Sequence, residues 1–135
     1  PLYHYRQIAS SQSRTETVST YYAQASRDVF IYVNKNYPEI SPYATVYYMK
    51  NLVWAYEQII RGGNDKKWVN FKRLAESEIR NSLEIIQRGI DYTIMPITRL
   101  TRLRWLILAH SPSLFLVAYN IFYFTKSHFF IRDYT

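Results

Sequence analysis

The sequence predicts an all-α chain: three amphipathic helices followed by a C-terminal kinked transmembrane helix. Three observations carry this reading. Apolar residues recur at spacings of three and four through the first two thirds of the chain. Pro38, Gly62-Gly63 and Gly89 interrupt that pattern at helix-length intervals. Then Trp105 to Thr125 runs for 21 residues without a formal charge.

These features divide the chain into four parts. Residues 1–14 form a flexible N-terminal segment and residues 15–95 a helical bundle. Residues 96–126 hold a basic flank and the membrane span, and residues 127–135 a short tail. At 135 residues and 48% apolar composition, the bundle is large enough for a core without metal or disulfide staples.

The first helix is expected over Thr15–Asn36, with Val18, Tyr22, Ala25, Val29, Tyr32 and Val33 on its apolar face. It ends before Pro38, which cannot continue the hydrogen-bond ladder and keeps Tyr37 out of helical geometry. Ser41-Pro42 reads as an N-cap followed by proline at the first helical position. A second helix then runs to Arg61. One stripe is Val46, Met49, Val53, Tyr56 and Ile60, and an adjoining one is Tyr43, Tyr47, Trp54 and Ile59. So wide an apolar surface predicts burial by several neighbours. Gly62-Gly63 supplies the C-cap.

Asn64-Asp65 opens a third helix. It aligns Trp68, Phe71, Ala75, Ile79, Leu83 and Ile86 on one face and Lys66, Lys67, Lys72, Arg73, Glu76, Glu78, Arg80 and Glu84 on the other. Glu76–Arg80 and Glu84–Arg88 stand at i,i+4 in the favourable order for ion pairing. Gly89 ends the helix.

The uncharged run has the length needed to cross about 30 Å of hydrocarbon. Arg99, Arg102 and Arg104 precede it, and Lys126 closes it. These four cations are the expected lipid-headgroup ligands. Trp105 and Tyr123 are the expected interfacial anchors, because aromatic rings with a polar tip favour the headgroup level. A break is expected at Ser111-Pro112. The competing arrangements are a buried hairpin, with one helix from Pro96 to Ala109 and another to Lys126, and an interfacial re-entrant segment.

Charge is uneven along the chain. Residues 61–104 hold ten Lys/Arg and five acids, whereas residues 105–135 hold two and one. A basic excess just before a span places the N-terminal helices on the cytoplasm-equivalent side, which in a mitochondrion is the matrix. Arginines at that boundary suit anionic phospholipid, with cardiolipin as the candidate.

No catalytic centre is legible. The chain has no Cys, which excludes thiol catalysis, Cys-ligated zinc and disulfides. His4, His110 and His128 lack ligand spacing, so no metal site is expected. The carboxylates of Glu76, Glu78 and Glu84 stand among Lys and Arg on a solvated face, whereas acid–base chemistry wants one of them desolvated. Gly62-Gly63 lacks a following Gly-Lys-Ser, and Ser111-Pro112-Ser113 lacks the glycines of a nucleophile elbow. His110 is retained as a functional candidate only because an ionisable group inside a span is one by default. No cofactor is expected.

The net charge of +7 raises nucleic acid as a partner. Trp68 and Phe71 could stack bases, but they fall on the apolar stripe, and the acids dilute the field. The 14 tyrosines exceed what one small core can bury. Tyr21, Tyr47 and Tyr48 are the expected partner contacts, since tyrosine suits protein–protein surfaces.

Arg99-Leu100-Thr101-Arg102-Leu103-Arg104-Trp105, the uncharged run to Thr125 and Lys126 together resemble the layout of small accessory subunits of mitochondrial inner-membrane energy complexes. The helix–proline turn–helix at Asn36–Ser41 also resembles ATP synthase subunit g, although the run carries no GxxxG. The resemblance implies a non-catalytic structural or assembly subunit of ATP synthase or a respiratory-chain complex. It would be a scaffold for neighbouring subunits and lipid in the inner membrane. The alternative reading is a soluble helical component of a ribonucleoprotein such as a mitochondrial ribosome.

Overall fold

A computed structural model describes residues 20–64, 66–89 and 97–132. Among these residues there are five helices and no strand: α1 (Tyr21–Asn36), α2 (Ser41–Arg61), α3 (Val69–Gly89), α4 (Arg99–His110) and α5 (Pro112–Arg132). The predicted segment 1–14, residues 15–19 of the expected first helix and residues 90–96 lie outside the described residues. The helical class and the first three helices agree with the sequence reading.

Helix α1 stops where proline demands. Tyr37 leaves helical geometry, its N–H donates to the Val33 carbonyl, and a single 3-10 turn over Pro38–Ile40 leads into α2. Ser41 is already helical and does not cap. Its hydroxyl instead donates to Asn34 Oδ1 at 2.9 Å and pins the end of α1 to the start of α2. The connection reverses the chain. Phe30 stacks on Tyr48, and Tyr22 meets Trp54 edge-on at the other end, so the two helices run antiparallel.

The face of α1 turned to the core is not the predicted one. Ala23, Ser26 and Phe30 face inward, whereas Tyr22, Val29 and Tyr32 are exposed. Two of the inward residues are small, which lets α1 approach α2 closely. Ser26 disposes of its hydroxyl by donating to the Ala23 carbonyl at 2.9 Å.

Helix α2 is the centre of the molecule. The predicted stripe Val46, Met49, Val53, Tyr56 and Ile60 is buried. The second buried stripe is Tyr48, Leu52, Ala55 and Ile59, while Tyr47 and Trp54 are exposed. The C-terminus of α2 is a Schellman motif: Asn64 N–H donates to the Ile59 carbonyl and Gly63 N–H to the Ile60 carbonyl. Gly63 sits at φ +91°, the left-handed conformation that favours glycine. Of the two glycines the second is therefore the one the motif requires.

Helix α3 buries Ala75 and Ile79, with Phe71 and Leu83 packed at the edge of the core, in line with the predicted face. The side chain of Ile86 lies outside those described.

The expected kinked membrane span is corrected. The uncharged run folds as two helices that turn back on each other, and among the described residues no helix is long and apolar enough to cross a membrane. The reason is local. Pro112 has no N–H for the ladder, and it holds Ser111 extended at φ −147°, ψ 87°. Ser111 then opens α5, its carbonyl accepting from Phe115 N–H and its hydroxyl from Leu114 N–H. The hairpin's second helix is also longer than expected: α5 does not stop at Lys126 but continues to Arg132, through most of the predicted tail.

The hairpin shares one core with the first three helices. Trp105, Leu108 and Ala109 of α4 and Phe115 and Tyr119 of α5 join the buried cluster of α2 and α3.

Candidate functional site

Two kinds of feature stand out: a set of polar ties where α2, α3 and the hairpin meet, and two apolar faces turned outward.

The ties begin with Glu57, which is buried in α2 and forms an ion pair with Arg104 of α4. One turn further along α2, Arg61 Nε donates to the Tyr119 hydroxyl, and its guanidinium lies 5.8 Å from the Tyr119 ring centre and 5.1 Å from that of Tyr123. Tyr119 and Tyr123 stack on one another, so α5 presents a two-ring cradle to this cation.

Helix α3 is tied in by two more contacts. Tyr56 donates to Glu76 Oε1 at 2.7 Å. Arg80 Nε donates to the Ala109 carbonyl at 3.0 Å. That carbonyl belongs to the last turn of α4, where intrahelical partners run out and positive charge is favoured. Glu76 and Arg80 thus serve different helices and do not form the expected pair. Glu84–Arg88 does form, at 2.6 Å on an exposed surface.

Burial lifts the Tyr48 phenol from 10.0 to about 12, with Glu78 adding to the rise and Arg27 opposing it. Tyr56 is raised still further, by burial first and then by its bond to Glu76. Both phenols stay neutral across the physiological range.

The first outward face belongs to α1. Tyr22, Val29 and Tyr32 recur at helical spacing, and Tyr21 extends the apolar area. Of the predicted apolar stripe, Tyr22, Val29 and Tyr32 are exposed, while Ala25 and Val33 are half-buried. A second set at the same spacing, Ala23, Ser26 and Phe30, was the overlooked signal for the inner face.

The second face is the outer surface of the α4–α5 hairpin. Leu100, Leu103 and Ile107 share one side of α4, and Leu114, Val117 and Ile121 one side of α5. All but Ile107 are exposed. Between the helices runs an open groove of about 240 Å³, lined by Leu100, Leu103, Arg104, Ile107, Phe115, Ala118, Tyr119 and Phe122. Its two hydrogen-bonding side chains are turned to α2: Arg104 to Glu57, and the Tyr119 hydroxyl to Arg61.

The predicted site residues separate accordingly. Arg99 and Arg102 are exposed at the start of α4. Arg104 is drawn to Glu57, so a free headgroup ligand at that position is corrected. Trp105, expected as an interfacial anchor, is 2% exposed and belongs to the core. Tyr48, expected as a partner contact, is 1% exposed and stacks on Phe30. Its helix turns it inward, one position away from exposed Tyr47. Tyr21, Tyr47 and Tyr123 remain on the surface. Lys126 falls within α5, and its side chain lies outside those described.

His110 is exposed at the end of α4 and not enclosed in a span. Among the described residues no three His, Asp or Glu side chains converge as metal ligands. Trp68 and Phe71 are half-buried and meet edge-on at 6.4 Å, with Lys67 over the Trp68 ring.

Comparison with family models, curated proteins and solved structures finds no match to the chain.

Proposed function

We propose that this chain is a non-catalytic structural subunit of a mitochondrial membrane complex, ATP synthase or a respiratory-chain complex, which it joins from the matrix side as a scaffold for neighbouring subunits and lipid. The observation that carries the reading is the pair of outward apolar faces on opposite ends of the sequence, Tyr22–Val29–Tyr32 on α1 and Leu114–Val117–Ile121 on α5. Contiguous exposed apolar surface marks a place that another molecule covers. The helices are meanwhile tied to each other by part-buried polar contacts, as suits a rigid spacer. The basic start of α4 and the uncharged run from Trp105 to Thr125 support membrane association without requiring a span.

The test is co-purification of the tagged full-length chain from mitochondria in mild detergent, followed by a native gel. Migration with an energy-transducing complex is the expected result. Migration as a free monomer defeats the reading. Alkaline carbonate should release the chain, because peripheral attachment yields to it and a span does not.

A second reading, a helical component of a ribonucleoprotein such as a mitochondrial ribosome, draws on the exposed Lys66, Lys67 and Arg73 near Trp68. It expects ribosomal proteins and RNA in the same purification, and a steep salt dependence of association.

A further inference from the structure

We propose that the outer face of the α4–α5 hairpin lies flat in the interface of an anionic membrane, its apolar side chains among the acyl chains and Arg99 and Arg102 at the headgroups. This deepens the proposed role and rests on its membrane association. It replaces the expected span with an in-plane element.

Three observations select lipid over protein as the occupant. First, the face offers little for a protein partner to hydrogen-bond. Protein interfaces of standard size carry roughly ten direct hydrogen bonds. Here the groove's two polar side chains are committed inward, Arg104 to Glu57 and Tyr119 to Arg61. Exposed Ser113 and Asn120 of α5 stand at i−4 and i+3 of Val117 and border this face at its edge.

Second, the charge is complementary to anionic headgroups. No acidic residue occurs from position 97 to position 125, while Arg99 and Arg102 stand exposed beside Leu100 and Leu103.

Third, the dimensions fit. An interfacial helix sinks about 5–10 Å into the headgroup–acyl boundary. That is less than one helix diameter of about 10–12 Å, so the hairpin can immerse its outer layer while α2 and α3 stay in water. Entry by the tip is disfavoured, because exposed His110 and Ser113 would then meet hydrocarbon.

The test is flotation of the full-length chain with vesicles of phosphatidylcholine alone and of phosphatidylcholine containing cardiolipin. Strong flotation with cardiolipin vesicles and weak flotation with neutral ones are expected. R99Q/R102Q should lower partitioning about 25-fold, about fivefold for each arginine. V117S/I121S should lower it about tenfold or more by removing immersed apolar area. Both pairs are exposed, so unchanged helical circular dichroism keeps the comparison valid. No flotation with cardiolipin vesicles overturns the proposal, as does flotation indifferent to both double variants. Recovery in a membrane complex on a native gel together with failed flotation defeats this inference alone. The subunit reading then stands on its protein contacts.

Discussion

Glu57 of α2 and Arg104 of α4 form an ion pair that fastens the C-terminal hairpin to the central helix. The carboxylate side is almost fully buried, and Arg104 reaches it from a half-exposed position. Removing one partner leaves a charge stranded in the core.

Arg104→Ala should therefore destabilise the fold by about 3 kcal/mol, at the low end for breaking a buried pair because Arg104 retains some solvent. E57M/R104M should recover most of that loss, since apolar replacements leave nothing unpaired. Urea unfolding of the two variants checks this, and an equal loss in both would deny the pair its role.

Arg80 should behave as a remote cap of α4. Arg80→Ala leaves the Ala109 carbonyl without its donor and should cost about 1–2 kcal/mol. Hydrogen exchange should rise in the last turn of α4, next to the break at Ser111. An effect confined to α3 would mean that the Arg80–Ala109 bond is not the one lost.

Alkali should loosen the core. Tyr48 and Tyr56 are held neutral above the ordinary phenol value. A phenol whose folded pKa is raised keeps its full stabilising effect below about pH 10, its unfolded value. As pH rises from about 10 towards about 12 the unfolded chain ionises first, so stability falls. Y56F should flatten this decline in a thermal melt series from about pH 8 to about pH 12. A decline unchanged in Y56F and Y48F would assign it elsewhere.

The hairpin arrangement makes opposite demands on neighbouring leucines. Leu108 is fully buried and Leu103 exposed. Leu108→Ala should cost about 3 kcal/mol through loss of burial and the cavity left behind. Leu103→Ala should stay within about 0.5 kcal/mol. Denaturant midpoints in detergent-free buffer distinguish the two.

At the end of α2, Gly63→Ala should cost about 1 kcal/mol, because φ +91° is unfavourable for any side chain even where space is open. Gly62→Ala, at φ −75°, should be tolerated. Thermal melts of both variants read the difference directly.

Much of the architecture was legible because its signals are local. Pro38 and Pro112 end helices by removing a donor, Gly63 ends one by adopting a conformation other residues resist, and the α2 and α3 stripes follow from helical period. The same Ser-Pro signature marks a helix start at both places, but its serine caps the helix only at Ser111; Ser41 follows a 3-10 turn and is already helical. Little of the candidate site was legible. Tyr47 and Tyr48 are chemically identical neighbours, and only packing against Phe30 decides which is buried.

Backbone constraints acting within a few residues are enough to make the chain helical, to end α1 and α2, and to break the uncharged run near Pro112. All of that can be read along the chain. Packing made the remaining choices: that the run folds back onto α2, that Trp105 is core and Arg104 a partner of Glu57, and that α1 turns its smaller face inward. An uncharged helix is equally compatible with lipid and with a protein core, and an apolar stripe does not say which molecule it faces. Those choices depend on surfaces distant in sequence meeting with complementary shape and charge.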